Sequence, residues 1–146
     1  MNDFECKLEQ YIDDNVYQRN GLFFLNSAIV NIEIDYENIF KHKGFDDALI
    51  VYKELFESTK KDGRFLIFTA LNGYADEGCW DGVEVKHLTN DIIWDLEVGS
   101  INYRFIFNKE KYFNGINEIG NEIMNLDSSI VLEPKNVIYP IDWPEI

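Results

Sequence analysis

Residues 83–107 read VEVKHLTNDIIWDLEVGSINYRFIF, three alternating runs separated by two short polar pairs. In the first run Val83 and Val85 share a face with His87. In the second, Ile92, Trp94, Leu96 and Val98 alternate with Ile93, Asp95 and Glu97; in the third, Ile101, Tyr103, Phe105 and Phe107 alternate with Asn102, Arg104 and Ile106. A period of two is that of a strand with one face on a core. Thr89-Asn90 and Gly99-Ser100 suit tight hairpin turns, so the three runs form an antiparallel meander.

Working outward, Asn108 is placed to cap a helix whose buried stripe is Tyr112, Ile116, Ile119, Ile123 and Leu126. Gly115 and Gly120 in it either weaken the helix or let it pack closely on the sheet. The tail SIVLEPKNVIYPIDWPEI, residues 129–146, holds all three prolines and reads as an edge strand at IVLE, then coil pinned by Tyr139 and Trp143. Upstream, RFLIFTAL (64–71) is a nearly continuous apolar run of the kind found in a central strand. Phe45, Ala48, Leu49, Tyr52, Leu55 and Phe56 recur at helical spacing after Gly44, and KKDG at 60–63 stops them. AIVNIEIDY (28–36) alternates as a half-buried strand, with Glu33 and Asp35 on its polar face; Asn20-Gly21 marks a turn. In DFECKLEQYI (3–12), Phe4, Leu8, Tyr11 and Ile12 predict a short amphipathic helix. The order predicts one α+β domain over 1–146, an antiparallel-dominated sheet with a meander at about residues 64–108 and helices on one face.

Forty-six per cent hydrophobic residues and 15% aromatics are a folding composition. The charge is the outlier: 27 acids against 13 Lys and Arg leave a net −14. Direct binding to nucleic acid is disfavoured, because phosphate affinity comes from Lys and Arg releasing counterions. Anionic membrane surfaces are disfavoured on the same ground, whereas a basic protein would be steered in. Cys6 and Cys79 are far apart and form no CxxC pair, and the acidic MNDFECKLEQ is unlike a secretory signal. No apolar run reaches the ~20 residues of a membrane span. These features predict a cytoplasmic protein.

Tests for chemistry single out little. Asp76, Glu77 and Asp81 lack the spacing of a calcium loop, and His42 and His87 belong to no paired metal motif. Cys79 sits among acids that raise a thiol pKa, with no base nearer than Lys86. The chain contains no nucleophile elbow, P-loop or dinucleotide fingerprint, and so many carboxylates single out no glycosidase pair. Tyr103, Phe105 and Phe107 resemble a base-stacking platform, but without a basic groove they read as the core face of the sheet. No residue is assigned a catalytic, cofactor-binding or metal-ligating role.

The charge is concentrated. From Phe65 to Tyr103 there are seven acids and one base, Lys86. Within NGYADEGCWDGVEV (72–85), Asp76, Glu77, Asp81 and Glu84 surround Cys79 and Trp80 with no cation among them. Trp80 there is either a lid on the sheet edge or a contact anchor, Trp being common in binding hot spots. Asp76, Glu77, Trp80, Asp81 and Glu84 are the expected core of a partner-binding surface, with Glu33 and Asp35 as secondary members.

ADEGCWDGVE (75–84), the hairpins of 83–107 and the closing helix KEKYFNGINEIGNEIMNL (109–126) together resemble the small acidic immunity proteins of bacterial toxin–immunity systems, including contact-dependent growth inhibition. The resemblance implies a cytoplasmic, non-catalytic protein that binds one cognate toxin domain, often a basic nuclease. An enzyme of unrecognised type and a regulatory or oligomerising interaction domain are the alternatives.

Overall fold

The computed structural model describes residues 1–74 and 80–140, with the backbone alone at Trp80 and Asp81. Its strands are β1 (Phe4–Tyr11), β2 (Tyr17–Arg19), β3 (Leu22–Phe24), β4 (Ser27–Ile34), β5 (Glu37–Asn38) and β6 (Ala48–Ile50). Helix α1 (Tyr52–Glu57) follows, then β7 (Gly63–Phe65), β8 (Phe68–Ala70), β9 (Trp80–His87), β10 (Asp91–Val98) and β11 (Ile101–Asn108). Helix α2 (Lys109–Met124) and β12 (Val131–Glu133) complete the order. The fold is α+β.

The meander forms as the alternation requires. β11, β10, β9 and β7 make one antiparallel sheet in that order. Gly99 takes a φ of +61° in the turn that aligns Val98 with Ile101. Val83, Val85, Ile92, Trp94, Leu96, Phe105 and Phe107 turn inward into one hydrophobic core. The Asn108 side chain accepts the Lys111 backbone N–H at 2.9 Å, capping α2, whose Tyr112, Ile116 and Ile119 are buried while Ile123 is half-buried. Gly120 is a close-approach site: the Tyr52 hydroxyl, donating to the Ile116 carbonyl at 2.9 Å, fills the space a Cβ would need.

A second sheet runs β1-β4-β12, with β5 also on β4. Here the predicted helix over 3–12 is corrected: Phe4–Tyr11 is a strand, paired antiparallel with β4 over its whole length. Phe4, Cys6 and Leu8 face the core, while Glu5, Lys7 and Glu9 face outward, so the segment satisfies a period of two as well as one of 3.6. β4 is buried on both faces, not one. The predicted helix over 45–56 is shorter: Ala48–Ile50 is a strand antiparallel to β8, and only Tyr52–Glu57 is helical. RFLIFTAL is two strands in two pairings, β7 on β9 and β8 on β6. The edge strand expected at IVLE is present as β12, parallel to β4. Tyr139 lies within the described residues, whereas Trp143 lies outside them. Among the described residues no helix is long and apolar enough to cross a membrane.

The two sheets meet at the N-terminus. Asn2 makes a parallel bridge to Phe107, its N–H donating to the Ile106 carbonyl at 2.7 Å and its side-chain oxygen accepting the Ile106 N–H at 2.9 Å. Phe4 then enters the core, its ring centroid 4.9 Å from those of both Phe107 and Tyr112. Beside it runs a buried relay. Trp94 donates its indole N–H to the Tyr112 hydroxyl at 3.1 Å, and Tyr112 and Ser58 hydroxyls lie 2.6 Å apart. Ser58 donates onward to the Leu55 carbonyl, which leaves Tyr112 as donor to Ser58. Burial pushes the Tyr112 hydroxyl well up, so it stays protonated and keeps that role.

Tyr112→Phe keeps the ring and breaks both links, stranding the Trp94 N–H. Urea denaturation should show a loss of about 1–3 kcal/mol, the cost of an unsatisfied buried polar group. A loss within error would mean that the relay contributes nothing net.

Candidate functional site

The solvent side of the meander carries a row of charged side chains fixed by strand register. Parity puts Glu84, Asp95, Glu97, Asn102 and Arg104 opposite the core-facing row, and all five are exposed. Register aligns Arg64, Glu84, Asp95 and Arg104 across β7, β9, β10 and β11. The row therefore reads plus, minus, minus, plus. Arg104 Nε lies 3.2 Å from Asp95 Oδ1, an exposed pair of small energetic weight. Glu84 and Asp95 stand directly opposite each other, an arrangement that is unfavourable for like charges on adjacent strands. A shallow depression of about 350 Å³ is lined by Arg64, Glu84 and Asp95 of the row together with Gly82, Glu97, Asn102 and Tyr103.

The chain is tethered at Gly73 and Tyr74, just before the acidic stretch in sequence. Gly73 takes a φ of +90°, and a Cβ there would strike the Asn136 carbonyl, so only glycine allows the approach. The Ile138 N–H donates to the Gly73 carbonyl at 2.9 Å, and Tyr74 bridges Ile138 in parallel. At the other end Trp80 pairs with Val98 as the first residue of β9, so Trp80 belongs to a strand and not to the loop. Between the Trp80–Val98 and Val83–Leu96 pairs, Asp81 and Gly82 oppose Glu97 alone. This is a β-bulge, and Gly82 with a φ of +97° suits it.

Of the residues predicted to bind a partner, Asp76 and Glu77 lie outside the described residues, as does Cys79. Trp80 and Asp81 are placed by backbone on the bulged end of β9, and Glu84 is exposed four residues on. Glu33 lies on β4 of the other sheet and Asp35, with a φ of +54°, in the turn that follows it, and both are engaged within the protein. Lys7 Nζ is 2.7 Å from Glu33. Asp35 accepts the Asp3 N–H at 2.7 Å and the Asn2 amide at 2.8 Å, and these bonds lower its pKa. It thereby holds the N-terminal seam.

Asp95 and Arg104 were not singled out in sequence, although two-residue turns at Thr89-Asn90 and Gly99-Ser100 imply the Glu84–Asp95–Arg104 alignment. Arg64 joins the row only through tertiary pairing of β7 with β9. With Lys86 and Arg104 it makes three cations on a face that carries Glu84, Asp95 and Glu97, so that face is mixed in charge and not uniformly negative.

The groups with shifted titration do not converge there. Cys6 is pushed up chiefly by burial beneath α2. Glu54 is buried in α1, accepts the Leu66 N–H at 2.8 Å, and has its pKa raised by desolvation. Among the described residues no group of three His, Cys, Asp or Glu side chains is placed to hold a metal. No protein-family model matches the chain, and comparison with curated proteins and with solved structures finds no match.

Because its folded pKa is raised, Glu54 binds its proton more tightly in the native state, so its contribution to stability falls as pH rises through that value. Glu54→Gln keeps an acceptor for the Leu66 N–H without the buried charge. Denaturation midpoints should coincide near pH ~4, the ordinary range of a glutamate, and the variant should gain on the wild type towards neutrality. A gap independent of pH would contradict the shift.

Proposed function

We propose that this chain is a cytoplasmic immunity protein that binds and blocks one cognate basic toxin domain, a nuclease in the reading favoured here. The observation that supports it most is the pair Glu84 and Asp95, held side by side on a rigid sheet at the strand into which the acidic 75–84 run leads. Their mutual repulsion is partly offset within the protein by Arg104, which pairs with Asp95, and by Arg64, which is aligned with Glu84. A lysine or arginine from a partner would relieve more of it, so the face gains by accepting cations. A nuclease presents such cations in its substrate groove, and carboxylates fixed at strand spacing stand in for phosphates there. The chain catalyses nothing in this reading.

The decisive experiment pairs the purified chain with the product of the neighbouring toxin-encoding reading frame. Nuclease activity should fall in proportion to added protein and vanish at equimolar ratio. Undiminished cleavage at excess, with no complex on gel filtration, would overturn the reading. Within such a complex, Glu77→Ala and Asp81→Ala should each slow association several-fold and flatten its dependence on salt. Unchanged kinetics in both would place the contact elsewhere.

A further inference from the structure

The hairpin of β2 and β3 displays apolar side chains to solvent. Its turn, Asn20-Gly21, has positive φ at both residues, +48° and +84°, the geometry of a tight two-residue hairpin. One face is clamped to the body. Arg19 donates to the carbonyls of Phe45, Asp46 and Ala48, and its guanidinium lies 4.2 Å over the Phe40 ring. Asn20 donates to the Asp46 carbonyl and the Asp47 carboxylate, and Tyr17 stacks on Tyr11 at 4.6 Å. The other face carries Gln18 opposite Phe23. Phe23 is 65% exposed and Leu25, just past β3, 59%; Ile12 and Val16 in the preceding connection are exposed as well, as is Leu22 at the turn, opposite Arg19. An apolar array on a clamped hairpin is the mark of a contact surface.

The charge around it selects the occupant. Asp13, Asp14, Asp46 and Asp47 are exposed at its margins and outnumber the exposed Lys41 and Lys43 nearby in the chain, while the one cation between residues 12 and 26, Arg19, is spent on backbone carbonyls. A second copy docking symmetrically would bring those four carboxylates against their own images, in a chain of net charge −14. An anionic lipid surface is repelled in the same way. A cationic protein segment bearing apolar side chains meets both the hydrophobic centre and the acidic rim.

We propose that the β2–β3 hairpin is a docking surface for such a segment, with Phe23 and Leu25 as its apolar contacts. It lies at the same end of the meander as the start of β9. The 44–48 segment that holds the hairpin reaches Val98 through Gly44, and Val98 is the strand partner of Trp80. The hairpin shares with the immunity reading only the sign of the partner's charge and does not depend on it.

The test is titration of the isotope-labelled full chain with an amphipathic Leu–Lys peptide, read by amide shifts, with Leu–Glu and Ser–Lys peptides of equal length as controls. Saturable shifts should centre on residues 12–25 with Leu–Lys, weaken at least about tenfold with Ser–Lys, and vanish with Leu–Glu. A Phe23→Ser, Leu25→Ser double variant alters only exposed side chains, retains the fold, and should bind Leu–Lys at least about tenfold more weakly. Glu77→Ala and Asp81→Ala should leave this binding unchanged, which separates it from failure of the immunity reading. Equal binding of Ser–Lys, an unaffected double variant, or shifts centred elsewhere would overturn the proposal. So would self-association in sedimentation, or adsorption to phosphatidylcholine vesicles, that the double variant abolishes.

Discussion

Trp94 donates its indole N–H to Tyr112, and Tyr112 donates its hydroxyl to Ser58, all three side chains being fully buried. An indole donor left unmatched at that depth would be costly, so strand, long helix and the end of the short helix must arrive together. Phe4 closes the same cluster from the second sheet, with its ring against Phe107 and Tyr112. Once Trp94 and Leu96 are committed inward, the pleat commits Asp95 and Glu97 outward. The charged face is thus the reverse side of the relay.

Net charge overstates how anionic the usable surface is. Several carboxylates are consumed at home. Asp35 holds the N-terminal strand, Asp3 pairs with Lys111, Glu9 accepts from Asn31, and Glu54 is buried against the Leu66 backbone. On the meander, Arg64 and Arg104 flank Glu84 and Asp95. What distinguishes that face is less an excess of charge than the fixed spacing of two like charges. Fixed spacing favours recognition, because a partner finds the carboxylates already arranged and orders few side chains on arrival.

The hairpin is organised in the opposite way, by a single buried-facing cation. Arg19 satisfies backbone carbonyls of the 45–48 segment, and in doing so turns Phe23 to solvent. The same segment touches the end of β10, so the apolar and acidic features rise from one region of the scaffold although they belong to different strands. A partner with a basic, partly apolar surface suits both.

The meander and the last helix were legible in the sequence, because their information is local. Two-residue turns and strict alternation set the register from Val83 to Phe107, and Asn108 marks where the period changes. The first strand was not legible. Phe4, Leu8 and Tyr11 fit a helix as well as Phe4, Cys6 and Leu8 fit a strand, and only pairing with β4 decides between them. RFLIFTAL looked continuous, but the Leu66 N–H goes to Glu54 and the Ile67 carbonyl accepts from Val51, so the run divides between two partners. The acids that could serve a partner were visible as composition, whereas which of them remain available was not. The chain by itself determined the alternation and hence which side chains share a face. Tertiary contact alone decided that Asp35 and Glu33 are bound internally, that Arg64 joins the row, and that Arg19 leaves Phe23 exposed, because each depends on groups brought together from distant parts of the chain.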